Sequence, residues 1–224
     1  MTKKLISDIR LYKSDPEAGV ETVSFAGKEL NAIVKRIVMK LRENQFSFGE
    51  FDHLYINFTT REMPQPISLS DKVDSYHPWY RYCDVHMEKE RYDTLGSPET
   101  YNEIVRDIRT ILVACFATED FGESLILECV RQAVDEGERM LVRFKEKATA
   151  KRRAVIFLRY LDTCRFHPLL RVYDPEEQLL FEKDLPEAVM LDYLGEIQVS
   201  MKKVTIKPRK NAFTAGQKPL VFEY

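Results

Sequence analysis

The sequence is poor in the residues that build nucleotide and metal sites. Eight glycines in 224 residues leave little material for a phosphate-cradling loop, and neither GxGxxG nor GxxxxGK[ST] occurs. The four cysteines, Cys83, Cys115, Cys129 and Cys164, are scattered with no CxxC pair, which removes the common zinc spacings. No serine stands in a nucleophile-elbow pattern. No apolar run approaches the roughly 20 residues of a membrane-spanning helix, and the chain from Met1 to Asp8 turns charged too early for the core of a signal peptide. An excess of either charge sign is missing as well: 34 Lys and Arg face 36 Asp and Glu, for a formal net charge of −2. A dedicated nucleic-acid binder normally carries a basic excess, because neutralising phosphates supplies much of its affinity. Together these absences predict a cytoplasmic protein with reduced thiols, no cofactor, no metal, no nucleic-acid partner and no membrane partner.

What is present is ordinary globular material, 44% hydrophobic and 31% charged, enough for a substantial core. Three segments carry helical period. In 28–43, Leu30, Ile33, Val34, Ile37, Val38 and Leu41 form one apolar stripe, with Lys35, Arg36, Lys40 and Arg42 mostly outside it. In 98–116, Tyr101, Ile104, Val105, Ile108, Ile111, Leu112 and Cys115 repeat the spacing behind a Ser97-Pro98-Glu99 start signal. A third stripe over 122–148 takes in Ile126, Cys129, Val130, Ala133, Met140, Leu141 and Phe144. Gly137 in that stripe predicts close backbone approach to a neighbour.

Strand patterns bracket the helices. Leu5–Lys13 and Val20–Phe25 flank a turn-rich loop and read as a hairpin; Asp52–Thr59 and Trp79–Met87 follow the first helix. Arg152–Leu161, Pro168–Tyr173, Gln178–Glu182 and Glu196–Ile206 close the chain, with Asp174-Pro175-Glu176-Glu177 a turn between two of them. The order predicts an α+β fold, a mostly antiparallel sheet of about eight strands with three packed helices. It is read as one domain over 1–224, with a split near 150 as the alternative. Thr60–Tyr76, with Pro64 and Pro66, is long for a connection and therefore a candidate packed or functional loop.

The densest polar and aromatic cluster lies on two of these strands. Alternation collects His53, Tyr55 and Asn57 on one face of the first, and Tyr80, Tyr82, Asp84 and His86 on one face of the second. Three readings stay open. Two His and a carboxylate suit a metal or acid–base site, which would make an enzyme of the His53, Asp84 and His86 face. Tyrosine-rich surfaces are favoured at protein interfaces. The same residues also serve as a half-buried sheet face with satisfied hydrogen bonds. A scaffold or regulatory subunit is a further alternative for the whole chain.

Phe51–Thr59, followed about twenty residues later by Trp79–Val85, resembles a family of small bacterial immunity proteins encoded beside polymorphic toxins. The likeness covers roughly residues 25–115, including the helices on either side. It implies a protein without catalytic residues that neutralises a cognate toxin domain by tight binding. The partner-binding candidates are then His53, Tyr55, Asn57, Tyr80, Tyr82, Asp84 and His86.

Overall fold

A computed structural model describes residues 4–161 and 165–224. Expectations that involve Cys164 or the first three residues lie outside that range. Where the sequence suggested one domain or a split near 150, the chain divides into two compact units, Met1–Gly137 and Glu138–Tyr224.

The first unit is a five-stranded sheet with helices. Its strands are β1 (Asp8–Asp15), β2 (Val20–Ser24), β3 (His53–Thr59), β4 (Ile67–Leu69) and β5 (Tyr80–His86), in the order β2-β1-β3-β5-β4. The β1–β2 hairpin is antiparallel as expected, but β1, β3 and β5 run parallel to one another. Parallel neighbours need a crossover, and helix α1 (Lys28–Glu43) supplies the one from the hairpin to β3. Strand β4 falls inside the long Thr60–Tyr76 connection and pairs antiparallel with β5. That loop is held further by Ser70 N–H donating to Tyr82 O at 2.9 Å and His86 N–H to Pro66 O at 2.9 Å. Strand β2 forms one edge, and all five of its residues are exposed.

Ile9, Leu11, Leu54, Ile56, Phe58, Cys83 and Val85 alternate onto one face and are buried. Full burial of a side chain such as Phe58 contributes roughly 1.5–3 kcal/mol. Helix α1 packs against β1 and against α4 (Glu123–Asp135), and α4 packs in turn on α3 (Tyr101–Phe116). Contact on two sides widens the buried arc of α1. Leu30, Val34, Ile37, Val38 and Leu41 are buried as expected, Ile33 only partly, whereas Arg36 and Lys40 are each only 8% exposed despite lying outside the stripe. Lys40 keeps its charge matched by reaching Glu43 at 2.7 Å.

Four α-helices, not three, are found among the described residues; the extra one is the six-residue α2 (Lys89–Thr94). The predicted helix over 122–148 stops at Asp135. Gly137 takes φ +53°, the left-handed region in which helices commonly end. A Cβ there would meet nothing within 4 Å, so Gly137 ends a helix and does not mark a close approach. The chain then enters strand β6 (Val142–Ala148), which carries Phe144.

The second unit is all strand and short 3-10 turn. Strands β6, β7 (Arg153–Tyr160), β8 (Phe166–Tyr173) and β9 (Leu179–Asp184) form an antiparallel meander; β10 (Glu196–Val199), β11 (Lys203–Lys207) and β12 (Leu220–Glu223) form a second one. The Asp174–Glu177 turn is present, with Glu177 N–H donating to Asp174 O at 3.2 Å. Glu196–Ile206, expected as one strand, is a hairpin of β10 and β11 that reverses at Ser200–Lys202. Ile156, Leu170 and Val172 of the first sheet share a core with Ile197, Val204 and Ile206 of the second, the aliphatic packing of a two-layer β-unit. Among the described residues seven strand pairings are antiparallel and two parallel, and the fold is α+β.

The near-zero net charge is the sum of two unlike parts. Residues 1–137 hold 17 Lys and Arg against 24 Asp and Glu; residues 138–224 hold 17 against 12.

Candidate functional site

The parallel register of β3 and β5 sets the candidate residues opposite one another: His53 with Tyr80, Tyr55 with Tyr82, Asn57 with Asp84, and Thr59 with His86. Because side chains alternate along a strand, all seven candidates share the face opposite the buried one. Strand β1 adds a third column in the same register, Asp8, Arg10, Tyr12 and Ser14 beside His53, Tyr55, Asn57 and Thr59. Sequence reasoning missed this column. Its signal was present in the alternation of Asp8, Arg10 and Tyr12 with Ile9 and Leu11, but only the parallel pairing brings it to β3.

Aromatic rings run across the middle of the face. Tyr12 stacks on Tyr55 with centroids 5.5 Å apart and planes 13° apart. Tyr55 also meets Tyr80 at 4.7 Å and Tyr82 at 5.2 Å, and His77 stacks on Tyr80 at 4.7 Å and 4°. Such contacts contribute about 0.5–1.5 kcal/mol each beyond area burial. Arg10 lies over the Tyr55 ring at 5.4 Å and Lys72 over Tyr82 at 4.8 Å. Burial, then a hydrogen bond with Tyr80, raises the Tyr55 phenol well above its ordinary pKa. Burial and the nearby Asp74 carboxylate raise that of Tyr82. Both phenols therefore stay protonated and able to donate at neutral pH.

One end of the face is a hydrogen-bonded polar patch. Asn57 Nδ2 donates to Asp84 Oδ1 at 2.8 Å and to Ser14 Oγ at 3.1 Å, and Ser14 Oγ donates to Thr59 Oγ1 at 3.1 Å. Arg61 Nη2 donates to Asp84 Oδ2 at 3.1 Å. At the end of β1 the buried Asp15 accepts from Thr60 Oγ1 at 2.7 Å and pairs with Lys89 Nζ at 3.0 Å. The Thr60 hydroxyl, then the Lys89 ammonium, hold its carboxyl below the usual range. Tyr12, Tyr55 and Tyr82, with Ser14, Asn57 and Asp84 of this patch, floor a trough of about 970 Å³, walled by the β1–β2 turn at Pro16 and Gly19 and by Ser70 and Lys72.

Of the seven candidates, Tyr55, Asn57, Tyr82 and Asp84 line this trough, while His53, Tyr80 and His86 lie outside its lining. His53 and His86 stand at opposite ends of the face. Six residues along a strand separate them, about 20 Å. His53 Nδ1 contacts Asp52 Oδ1 at 2.6 Å, and His86 Nδ1 contacts Arg61 O at 3.0 Å. The side chains of His53, Asp84 and His86 thus share a face without converging on one point. Among the described residues no group of three or more His, Cys, Asp or Glu is placed to hold a metal ion. No helix among them is long and apolar enough to cross a membrane.

No protein-family model, no curated protein and no solved structure matches this chain.

Proposed function

We propose that this protein acts by binding another protein through the tyrosine face of the first unit, and that the partner is a toxin domain it neutralises in the cytoplasm. The observation that supports the binding reading is the ring cluster Tyr12, Tyr55, Tyr80 and Tyr82. It is partly exposed and already stacked, so docking would freeze few further rotamers. Aromatic anchors of this kind commonly dominate binding energy. The toxin as partner comes from the resemblance over residues 25–115. The acidic excess of residues 1–137 suits a basic partner, for which it would speed encounter more than deepen affinity. Silencing a toxin inside its producer calls for nanomolar affinity or better, about −12 kcal/mol.

The test is co-expression with the toxin domain encoded by the adjacent gene, read as survival and as a co-purified complex. Survival is expected with the native chain, and its loss when Tyr55, Tyr80 and Tyr82 are all changed to Ala with the circular dichroism spectrum unchanged. Protection that persists in the triple variant would move the interface off this face. No complex at micromolar concentration would remove that toxin as the partner.

A further inference from the structure

The basic excess of residues 138–224 is concentrated near the end of the chain. From Lys202 to Lys218 there are six cations, Lys202, Lys203, Lys207, Arg209, Lys210 and Lys218, and no Asp or Glu. Lys207 reaches Glu196 at 3.6 Å and Arg209 reaches Asp192 at 3.8 Å, long pairs on exposed cations that leave them open to a second anion. Lys202, Lys203, Lys210 and Lys218 form no ion pair among the described residues, although Glu223 stands in register with Lys203. A cavity of about 600 Å³ opens within this run. Lys207, Arg209 and Lys210 line it, with the amides of Asn211 and Gln217 and an apolar wall from Pro208 and Pro219. Phe213, between the lining residues Asn211 and Thr214 in the chain, is 74% exposed, more than any other large apolar side chain described in this unit.

The backbone holds these groups in place. Lys207–Arg209 lies so close to Gly195 that a Cβ there would meet Lys207 O at 2.5 Å. Arg209 N–H donates to Asp192 O at 2.8 Å, and Asn211 Nδ2 to Asp192 Oδ1 at 2.9 Å. Asn211 Oδ1 accepts from Phe213 N–H at 3.0 Å and Thr214 N–H at 3.2 Å, which fixes the 3-10 turn that presents the Phe213 ring.

We propose that the second unit binds single-stranded nucleic acid here, one base entering the cavity beside Phe213 and the neighbouring phosphates meeting Lys207, Arg209 and Lys210. The near-zero balance of the whole chain, which argues against nucleic acid, does not describe this unit. The inference is separate from the partner reading of the first unit. A bilayer surface is flat and has no use for a cavity, and an acidic peptide would call on the cations alone. A nucleotide strand uses the cations, the cavity and the ring together, since every base has a face that stacks on an aromatic side chain. In a duplex those faces are already stacked. Lys203 and Lys207 lie about 13 Å apart along β11, so the cations extend beyond what one phosphate spans.

The full-length protein is titrated into fluorescein-labelled oligo-dT and oligo-U of about twelve nucleotides, within the span of small single-strand-binding domains, and followed by anisotropy. Binding is expected, with log affinity falling against log salt at a slope of about −2, the value for three phosphate contacts on a single strand. Tighter binding of oligo-U would assign RNA and tighter binding of oligo-dT would assign DNA, each upholding the site. Lys210→Gln should weaken binding and reduce the slope by about 0.7. Phe213→Ala should weaken it about five- to a hundredfold with the slope unchanged, because stacking is not ionic. Both side chains are exposed, so the unfolding midpoints of the variants should match that of the native chain. Full affinity in Phe213→Ala would overturn the proposal. So would a duplex, inorganic polyphosphate or phosphatidylserine vesicles binding as tightly as the single strands, or no anisotropy change at micromolar protein in low salt.

Discussion

Asn57 and Asp84 occupy the same register position on adjacent parallel strands, and the Asn57 amide donates to Asp84 Oδ1 at 2.8 Å. The amide thus serves as a neutral donor beside a carboxylate that also receives Arg61. Asn57→Asp would place two carboxylates side by side, each raising the other's pKa. The new carboxyl would be raised above its unfolded value, so the variant should come closest to native stability at acid pH and lose ground as pH rises. We expect a deficit of about 1–3 kcal/mol at pH 7 that shrinks below the carboxylate range, measured by urea unfolding across pH.

The buried carboxylate of Asp15 gives the opposite pH behaviour. Its pKa is depressed by the Thr60 hydroxyl and the Lys89 ammonium, so its stabilisation is present above the unfolded carboxylate pKa and is lost as pH falls through the folded one. Asp15→Asn should therefore lower stability at neutral pH and flatten the acid limb of the unfolding midpoint. An acid limb as steep as that of the native chain would remove Asp15 as a contributor.

Core and edge of the same sheet should respond very differently. Ile56→Ala empties a fully buried site and should cost about 2–5 kcal/mol. Val20→Thr, on the exposed edge strand β2, should stay within about 0.5 kcal/mol. Thermal and denaturant unfolding of the two variants side by side checks the contrast.

Two glycines are held for different reasons and should rank accordingly. At Gly137 the cost of Ala is the left-handed backbone alone, about 1 kcal/mol, since a Cβ meets open space. At Gly195 a Cβ would lie 2.5 Å from Lys207 O and 2.6 Å from Arg209 N, both backbone atoms that cannot swing aside. Gly195→Ala should be the more damaging of the two, by expression yield and by unfolding midpoint.

The α1 stripe and the alternation on β3 and β5 were legible because burial on one side writes itself into period 3.6 or period 2. The joining of the seven candidate side chains on one face was legible for the same reason. Parallel pairing was not, since alternation is the same whichever way a neighbour runs, and so the β1 column with Tyr12 and Ser14 went unseen. Met140, Leu141 and Phe144 kept the helical spacing of α4 beyond its end, and Gly137, present in the sequence, was read as packing when it ends the helix. The β10–β11 turn at Ser200–Lys202 carries no Gly, Pro, Asn or Asp, so nothing local announced it. The roles of His53 and His86 turned on distance along the strand, which residue type does not encode.

The opposite charge balance of the two units means that the whole-chain isoelectric point of about 6.2 describes neither of them. At pH 7, residues 1–137 carry a formal excess of seven negative charges and residues 138–224 an excess of five positive ones. The two halves, produced separately, would migrate towards opposite electrodes and bind opposite ion-exchange resins. In the intact chain, added salt would weaken contacts with acidic and with basic molecules alike.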